Sequence, residues 1–245
     1  MSYHFDWSVL WGEWGVLLLK GVYATVQLAT LTFLFSFTGG FLFGIIRWMR
    51  NRFLEPICWL YVEFARNTPP LVQILFWYFS AIYLLPHWLF TYMRGVGYEF
   101  AAAVFALSIY HGAFVAETVR AGLNSVTAGQ REAAASLGLN FRQRLMHVIL
   151  PQAAPALIPP LTNEAVSLTK NTSLAMAIGV AEIAYQTKYI DTYTFRGVEV
   201  LVASSILYIV LCVSIEAVGH ILSRGFSRHL DTPTAMRSAI VGESV

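Results

Sequence analysis

Between Lys20 and Arg47 the chain carries no charged residue, so residues 21–46 form an unbroken run of apolar and small side chains. A helix needs about 20 such residues to cross a hydrocarbon core roughly 30 Å thick. Backbone groups left unbonded in that core cost several kcal/mol each, so the run has to be helical. It is too long and too far from the N-terminus for a cleaved secretory signal. Four further runs follow: 57–85, charged only at Glu63 and Arg66; 100–120, interrupted by His111 and Glu117; 161–181, containing Glu164 and Lys170; and 200–222, uncharged until Glu216. The expectation is an all-α integral membrane protein with about five transmembrane helices. Residues 1–20 would be an interfacial segment, 21–222 the transmembrane domain and 223–245 a cytoplasmic tail, polar and poorly ordered after Arg228.

Composition closes off other classes. Of the 245 residues 57% are hydrophobic and 12% charged, about half the charged share of a soluble domain. A net charge of +2 is too balanced for a nucleic-acid binder. Cys58 and Cys212 lie in apolar runs and suggest neither a disulfide framework nor a metal site. No phosphate-binding loop, catalytic triad or metal-ligand cluster is present.

Cationic residues in the connections set the orientation. Arg47, Arg50, Arg52, Arg120, Arg131, Arg142, Arg144, Arg224, Arg228 and Arg237 fall on one side; Lys20, Arg94, Lys188 and Arg196 fall on the other. That bias places the N-terminus outside and the C-terminus in the cytoplasm. Trp7, Trp11 and Trp14, and the group His87, Trp88, Tyr92 and Tyr98, fit aromatic belts at headgroup depth. Gly40 and Gly44 have the small-xxx-small spacing of close helix packing, within the chain or at a subunit interface.

The longest connection, 121–160, lies on the cytoplasmic side. Gln130–Leu137 consists of strong helix formers, Gly138 suits the left-handed residue that stops a helix, and Asn140 suits the cap of the next. Phe141, Leu145, Val148 and Ile149 then recur at helical spacing. Pro151, Pro155, Pro159 and Pro160 follow. The expected shape is two short helices around a tight corner, re-entering the membrane through a proline-rich segment. Such a loop is either an amphipathic connector on the inner leaflet or a rigid knob for a partner protein.

The spacing Glu132-Ala133-Ala134, three residues, Gly138, nine residues, Val148-Ile149-Leu150-Pro151 resembles the EAA loop of ATP-binding-cassette importer permeases. Val148 stands where that family usually has Ile. The resemblance implies that Glu132, Ala133, Ala134, Gly138, Leu150 and Pro151 couple the chain to a cytoplasmic ATPase subunit. It also implies that ATP and Mg are bound there rather than here, with no cofactor in this chain.

Two segments place polar groups at membrane depth, where a central Lys or Arg costs about 2.5–3.5 kcal/mol on the insertion scale. One is Glu63 through Gln73, in which Pro69 and Pro70 disfavour helix at Thr68. Broken helices of this kind form transporter sites. The other is Glu164 through Leu174, where Glu164, Ser167 and Asn171 share a helical stripe and Lys170 adds a cation. Arg66-Asn67-Thr68-Pro69 and Lys170-Asn171-Thr172-Ser173-Leu174 resemble the signatures of the polar amino-acid permeases within that family, nearest to those for glutamate and aspartate. Asn67 and Pro70 depart from that subgroup's common Gly and Leu. The resemblance implies that Arg66, Asn67, Thr68, Pro69, Lys170, Asn171, Thr172 and Ser173 contact substrate or shape its path. A periplasmic amino-acid-binding protein and a second permease subunit, identical or homologous, are the further implied partners. From residues alone, Glu117 and Arg120 are placed to pair, His111 reads as a hydrogen-bonded packing residue, and Glu63, Arg66 and Glu164 have no assignable partners. The rival functions are an ion-coupled secondary transporter and an intramembrane enzyme using Glu164, His111 or Glu117.

Overall fold

The structure, a computed structural model, describes residues 4–228; the expected disordered tail lies outside the described residues. These residues form helices α1 (Glu13–Trp48), α2 (Glu55–Arg66), α3 (Pro70–Leu84), α4 (His87–Gly95) and α5 (Tyr98–Asn124), then α6 (Ala128–Ser136), α7 (Phe141–Arg144), α8 (Leu150–Asn171), α9 (Ile183–Thr194) and α10 (Gly197–Arg228). Four helical stretches among them are long and apolar enough to cross a membrane: Glu13–Trp48, Tyr98–Asn124, Phe141–Ile178 and Gly197–Phe226.

The expected second span, 57–85, is not one helix. It is divided into α2 and α3, because Pro69 and Pro70 lack the N–H groups that would bond the carbonyls of Ala65 and Arg66. The fourth span, expected over 161–181, is helical from further upstream. Pro155, Pro159 and Pro160 lie inside α8, which is joined to α7 through a single π turn, Leu145–Ile149. Helices at membrane depth tolerate proline where local π adjustment and neighbouring helices absorb the freed backbone groups. α4 and α9 are short additional helices in the remaining connections.

α1 shows how the sequence sorts its faces without water. Its buried positions are Leu18, Gly21, Thr25, Leu28, Thr32, Ser36, Gly40, Gly44 and Arg47, at steps of three and four residues. Large apolar side chains such as Leu19, Phe35 and Leu42 point outward. Small residues inside let backbones approach closely, and apolar residues outside meet lipid. α5 is the hub: α1, α2, α3 and α8 all pack on it, and its buried surface is rich in Ala102, Ala103, Ala106, Gly112, Ala113 and Ala116. Gly40 and Gly44 face Gly112, Val115, Ala116 and Val119 of α5, so this seam lies within the chain.

At the end opposite the α6–α7 corner, the N-terminal segment is tied to α10. The Asp6 amide donates to Glu199 Oε1 at 2.8 Å, and Arg196 Nη1 donates to the His4 carbonyl at 2.7 Å. Hydrogen bonds from Ser8 and the nearby Arg196 hold the Asp6 carboxyl below its ordinary pKa. Arg47, Arg50, Arg52, Arg120, Arg131 and Arg144 gather at the α6–α7 end, lining two adjoining recesses.

Candidate coupling surface and substrate pathway

The elbow forms as its local chemistry dictates. α6 ends where the Leu137 amide donates to the Ala133 carbonyl at 3.1 Å and that of Gly138 to the Ala135 carbonyl at 3.0 Å. Gly138 turns the chain at φ 73°, a left-handed conformation that costs a non-glycine residue roughly 1–2 kcal/mol. Asn140 then closes a reciprocal cap: the Gln143 amide donates to Asn140 Oδ1, and the Asn140 amide to Gln143 Oε1, each at 2.9 Å. Behind the corner Ala134, Leu145 and Ile149 are buried. Leu145 and Ile149 join Val115, Val119 and Leu123 of α5 and Leu157 of α8 in one apolar cluster. The outer surface presents Glu132, Ala133 and Ala135 exposed, with Leu137 78% exposed at the tip. Leu150 is half-buried and Pro151 exposed at the root of α8. The elbow is thus a rigid projection with a small-residue outer face and an apolar tip.

The two polar signatures meet on one stripe of α5. The Arg66 guanidinium sits over the Phe114 ring at 5.5 Å. Three residues before Phe114, His111 Nδ1 lies 2.5 Å from Glu164 Oε1 and its Nε2 lies 3.3 Å from Asn171 Nδ2. His111 is fully buried. The imidazole therefore joins α5 to two residues of the α8 stripe. Three residues after Phe114, Glu117 accepts from Arg47 Nη1 at 2.6 Å and from Arg120 Nη2 at 2.5 Å. This clasps the inner ends of α1 and α5. Sequence spacing pairs Glu117 with Arg120, but it left the partner of Glu164 open and gave Arg47 no role.

The break between α2 and α3 is patched by Gln73, a residue whose role the sequence alone does not show. Its side chain is buried, and Nε2 donates to the Ala65 carbonyl at 2.8 Å and the Thr68 carbonyl at 3.3 Å. Ala65 is the acceptor that Pro69 cannot serve, so Gln73 restores the missing bond. A glutamine at mid-span, four residues past a proline, was the available signal. Asn67 donates to the Glu63 carbonyl at 2.8 Å and to Glu63 Oε2 at 3.1 Å, while Thr68 donates to the Phe64 carbonyl at 2.8 Å. Pro69 is exposed at the break.

The Lys170–Ser173 group fans around the helix where α8 tightens into a 3-10 turn, Thr172–Ile178. Lys170 is exposed and forms no ion pair among the described residues. Asn171 faces His111. Thr172 is fully buried, donating to the Thr169 carbonyl at 2.7 Å, and Ser173 donates to the Lys170 carbonyl at 2.7 Å. Lys170 and Asn171 thus offer polar groups outward and onto α5, while the Thr172 hydroxyl is turned into the protein. Among the described residues no group of three or more His, Cys, Asp or Glu side chains is placed to hold a metal ion.

Comparison with known proteins fits this arrangement. Glutamate/aspartate import permease protein GltJ of Escherichia coli K12 is 32% identical over 84% of this chain and 85% of its own length. The probable glutamine ABC transporter permease GlnM of Bacillus subtilis 168 is 34% identical over 81% of this chain and 88% of its own. The L-cystine permease TcyB of that organism is 32% identical over 91% and 92% respectively. A crystal structure of an amino acid ABC transporter with histidines superposes with a TM-score of 0.75 at 28% identity, over 91% of this chain and 99% of that one. An inward-facing MetNI methionine ABC transporter shares the fold, with a TM-score of 0.70 at 21% identity over 86% and 96%. Residues 20–228 match the family of binding-protein-dependent transport system inner membrane components, and to that family of ABC permeases the chain belongs.

Proposed function

We propose that this chain is the membrane-spanning subunit of an ATP-driven importer for polar amino acids, with glutamate and aspartate as its preferred substrates. The observation that carries the coupling role is the elbow: a corner fixed by Gly138 and the Asn140–Gln143 cap, with Glu132, Ala133 and Leu137 on its outer face. In this reading the rigid corner holds Leu137 and the small residues beside it in one fixed outward arrangement, which a partner can meet without ordering a loop. A separate cytoplasmic ATPase subunit would seat there and bind ATP and Mg. Its closure would push the elbow, and the apolar cluster behind it would pass that movement to α5 and α8. In this reading α2 and α3 together make the fifth crossing, the N-terminus is periplasmic, and a periplasmic binding protein delivers substrate at the outer end. A second permease subunit, identical or homologous, would complete the pathway.

Preference for acidic substrates rests on charge. Lys170 has no carboxylate partner among the described residues, and Asn171 beside it is neutral, so an added carboxylate is drawn to the free charge. The amino acids in those relatives' names all carry α-carboxylate and α-ammonium groups, so Lys170 would favour glutamate and aspartate only by meeting their additional side-chain carboxylate. The test is uptake in vesicles holding the chain with its ATPase and binding protein, using glutamate, aspartate, glutamine and cystine. Lys170→Ala should lower acidic amino-acid uptake more than basal ATP hydrolysis; an equal loss of both would make Lys170 structural. The half-buried His111–Glu164 pair is also the kind of group a proton-coupled carrier uses. Uptake that survives ATP depletion would favour that reading instead.

A further inference from the structure

We propose that the corner between the end of α1 and the elbow binds the phosphate of an anionic phospholipid headgroup, held by Arg50, Arg131 and Arg144. These arginines line a recess of about 490 Å³ whose remaining wall includes Trp48, Phe141 and Ile149. None of the three guanidinium groups forms an ion pair among the described residues, and the buried Arg144 Nε has no hydrogen-bond partner. The contrast with adjoining cations is direct. Arg47 and Arg120 share the Glu117 carboxylate at 2.6 and 2.5 Å. Arg50 turns the chain at φ 52°, a left-handed conformation that is rare for arginine.

Three uncompensated guanidinium groups around one recess match an anion with several acceptor oxygens, which is the chemistry of phosphate. The rest of the wall selects the kind of phosphate. Trp48 and Phe141 lie 6.3 Å apart between ring centroids, and with Ile149 they make an apolar side to the recess. An amphipathic lining complements an amphipathic ligand. α1 also ends at Trp48, and tryptophan at the end of a span marks headgroup depth. A free anion leaves the aromatic wall unused, and an acidic side chain of a docked protein does not need that depth. Because Arg131 belongs to α6 and Arg50 follows α1, the headgroup would tie the elbow to the membrane. That consequence for coupling rests on the function proposed above; the binding itself does not.

The test uses the full-length chain in phosphatidylcholine nanodiscs titrated with phosphatidylglycerol brominated on its acyl chains. Quenching of Trp48 is read as the difference between wild type and Trp48→Phe. Each arginine near an anionic surface contributes about fivefold. With three arginines, half-quenching should therefore need on the order of a hundredfold less brominated phosphatidylglycerol than brominated phosphatidylcholine. The Arg131→Gln/Arg144→Gln double variant should lose most of that preference while still being quenched by brominated phosphatidylcholine, which shows Trp48 in place. Arg131→Lys/Arg144→Lys should retain part of the preference, and Arg52→Gln, outside the recess, all of it. Equal quenching by the two lipids would show no anionic preference, and equal loss in Arg52→Gln would mean diffuse surface attraction; either overturns the site. Reversal by excess inorganic phosphate would assign it to a free anion, and reversal by added ATPase subunit to a protein carboxylate; either overturns the lipid.

Discussion

Gly40→Ala adds one methyl group where the structure has no space for it. The new Cβ would lie 2.5 Å from Val115 Cβ, 2.6 Å from Val115 Cγ1 and 2.8 Å from the Gly112 carbonyl oxygen. Ordinary carbon contacts are about 3.5–4.0 Å, so α1 has to retreat from α5 by roughly 1 Å or Val115 has to leave its site. Val115 is fully buried, and overpacking of this kind costs about 1–3 kcal/mol. Gly39 supplies the internal control, because a Cβ there meets nothing within 4 Å. The same atoms added one residue away should change stability by no more than about 0.5 kcal/mol. Reversible unfolding of the full-length chain in mixed micelles, titrated with a denaturing detergent and followed by tryptophan fluorescence, measures both variants against wild type. Equal stability of Gly39→Ala and Gly40→Ala would refute the claim that α1 and α5 pack through this glycine seam.

Glu117→Gln should destabilise by about 2 kcal/mol in the same assay. Breaking a fully buried pair costs about 3–5 kcal/mol, and Glu117 is 26% exposed, which lowers the figure. The loss should shrink in an Arg47→Met background, and an unchanged loss would show that the clasp does not couple the two helices. Gly138→Ala should lower uptake modestly, since φ is 73° but a Cβ meets nothing within 4 Å, leaving only a backbone cost of about 1–2 kcal/mol. Gly138→Pro, which also removes the amide that bonds Ala135, should insert normally yet separate ATP hydrolysis from uptake, as should Glu132→Arg. Wild-type transport in Gly138→Pro or Glu132→Arg would contradict the docking role.

What could be read from the residues divides along physical lines. Apolar runs between charges located α1, α5 and α10, because in lipid a spanning backbone has few options other than helix. The Gly138 corner and Asn140 cap were legible because both are local: one backbone conformation and one side-chain bond decide them. The α2–α3 break was legible for the same reason, although its repair by Gln73 was not. That Pro155, Pro159 and Pro160 belong to α8 was not legible, because it depends on the preceding π turn and the packing of neighbours, which no local rule contains. The site was harder still. His111, Glu164 and Asn171 are separated by 53 and 60 residues across their bonds, and an ionisable group at membrane depth announces only that it needs some partner. Gly40 and Gly44 announced close packing but not against which helix.

The most direct test of the mechanical claim is site-specific crosslinking from the elbow in native vesicles. Cys58 and Cys212 are buried and unpaired and can be replaced to give a background without thiols. Single cysteines at Ala133 and Leu137, both exposed, and at the buried Ala134 then carry a short crosslinker. Adducts between the two exposed positions and a nucleotide-hydrolysing subunit, changing in yield when ATP is added, with none from Ala134, are the expected result. Exposed positions that capture no such subunit, in vesicles that still take up substrate, would contradict the account.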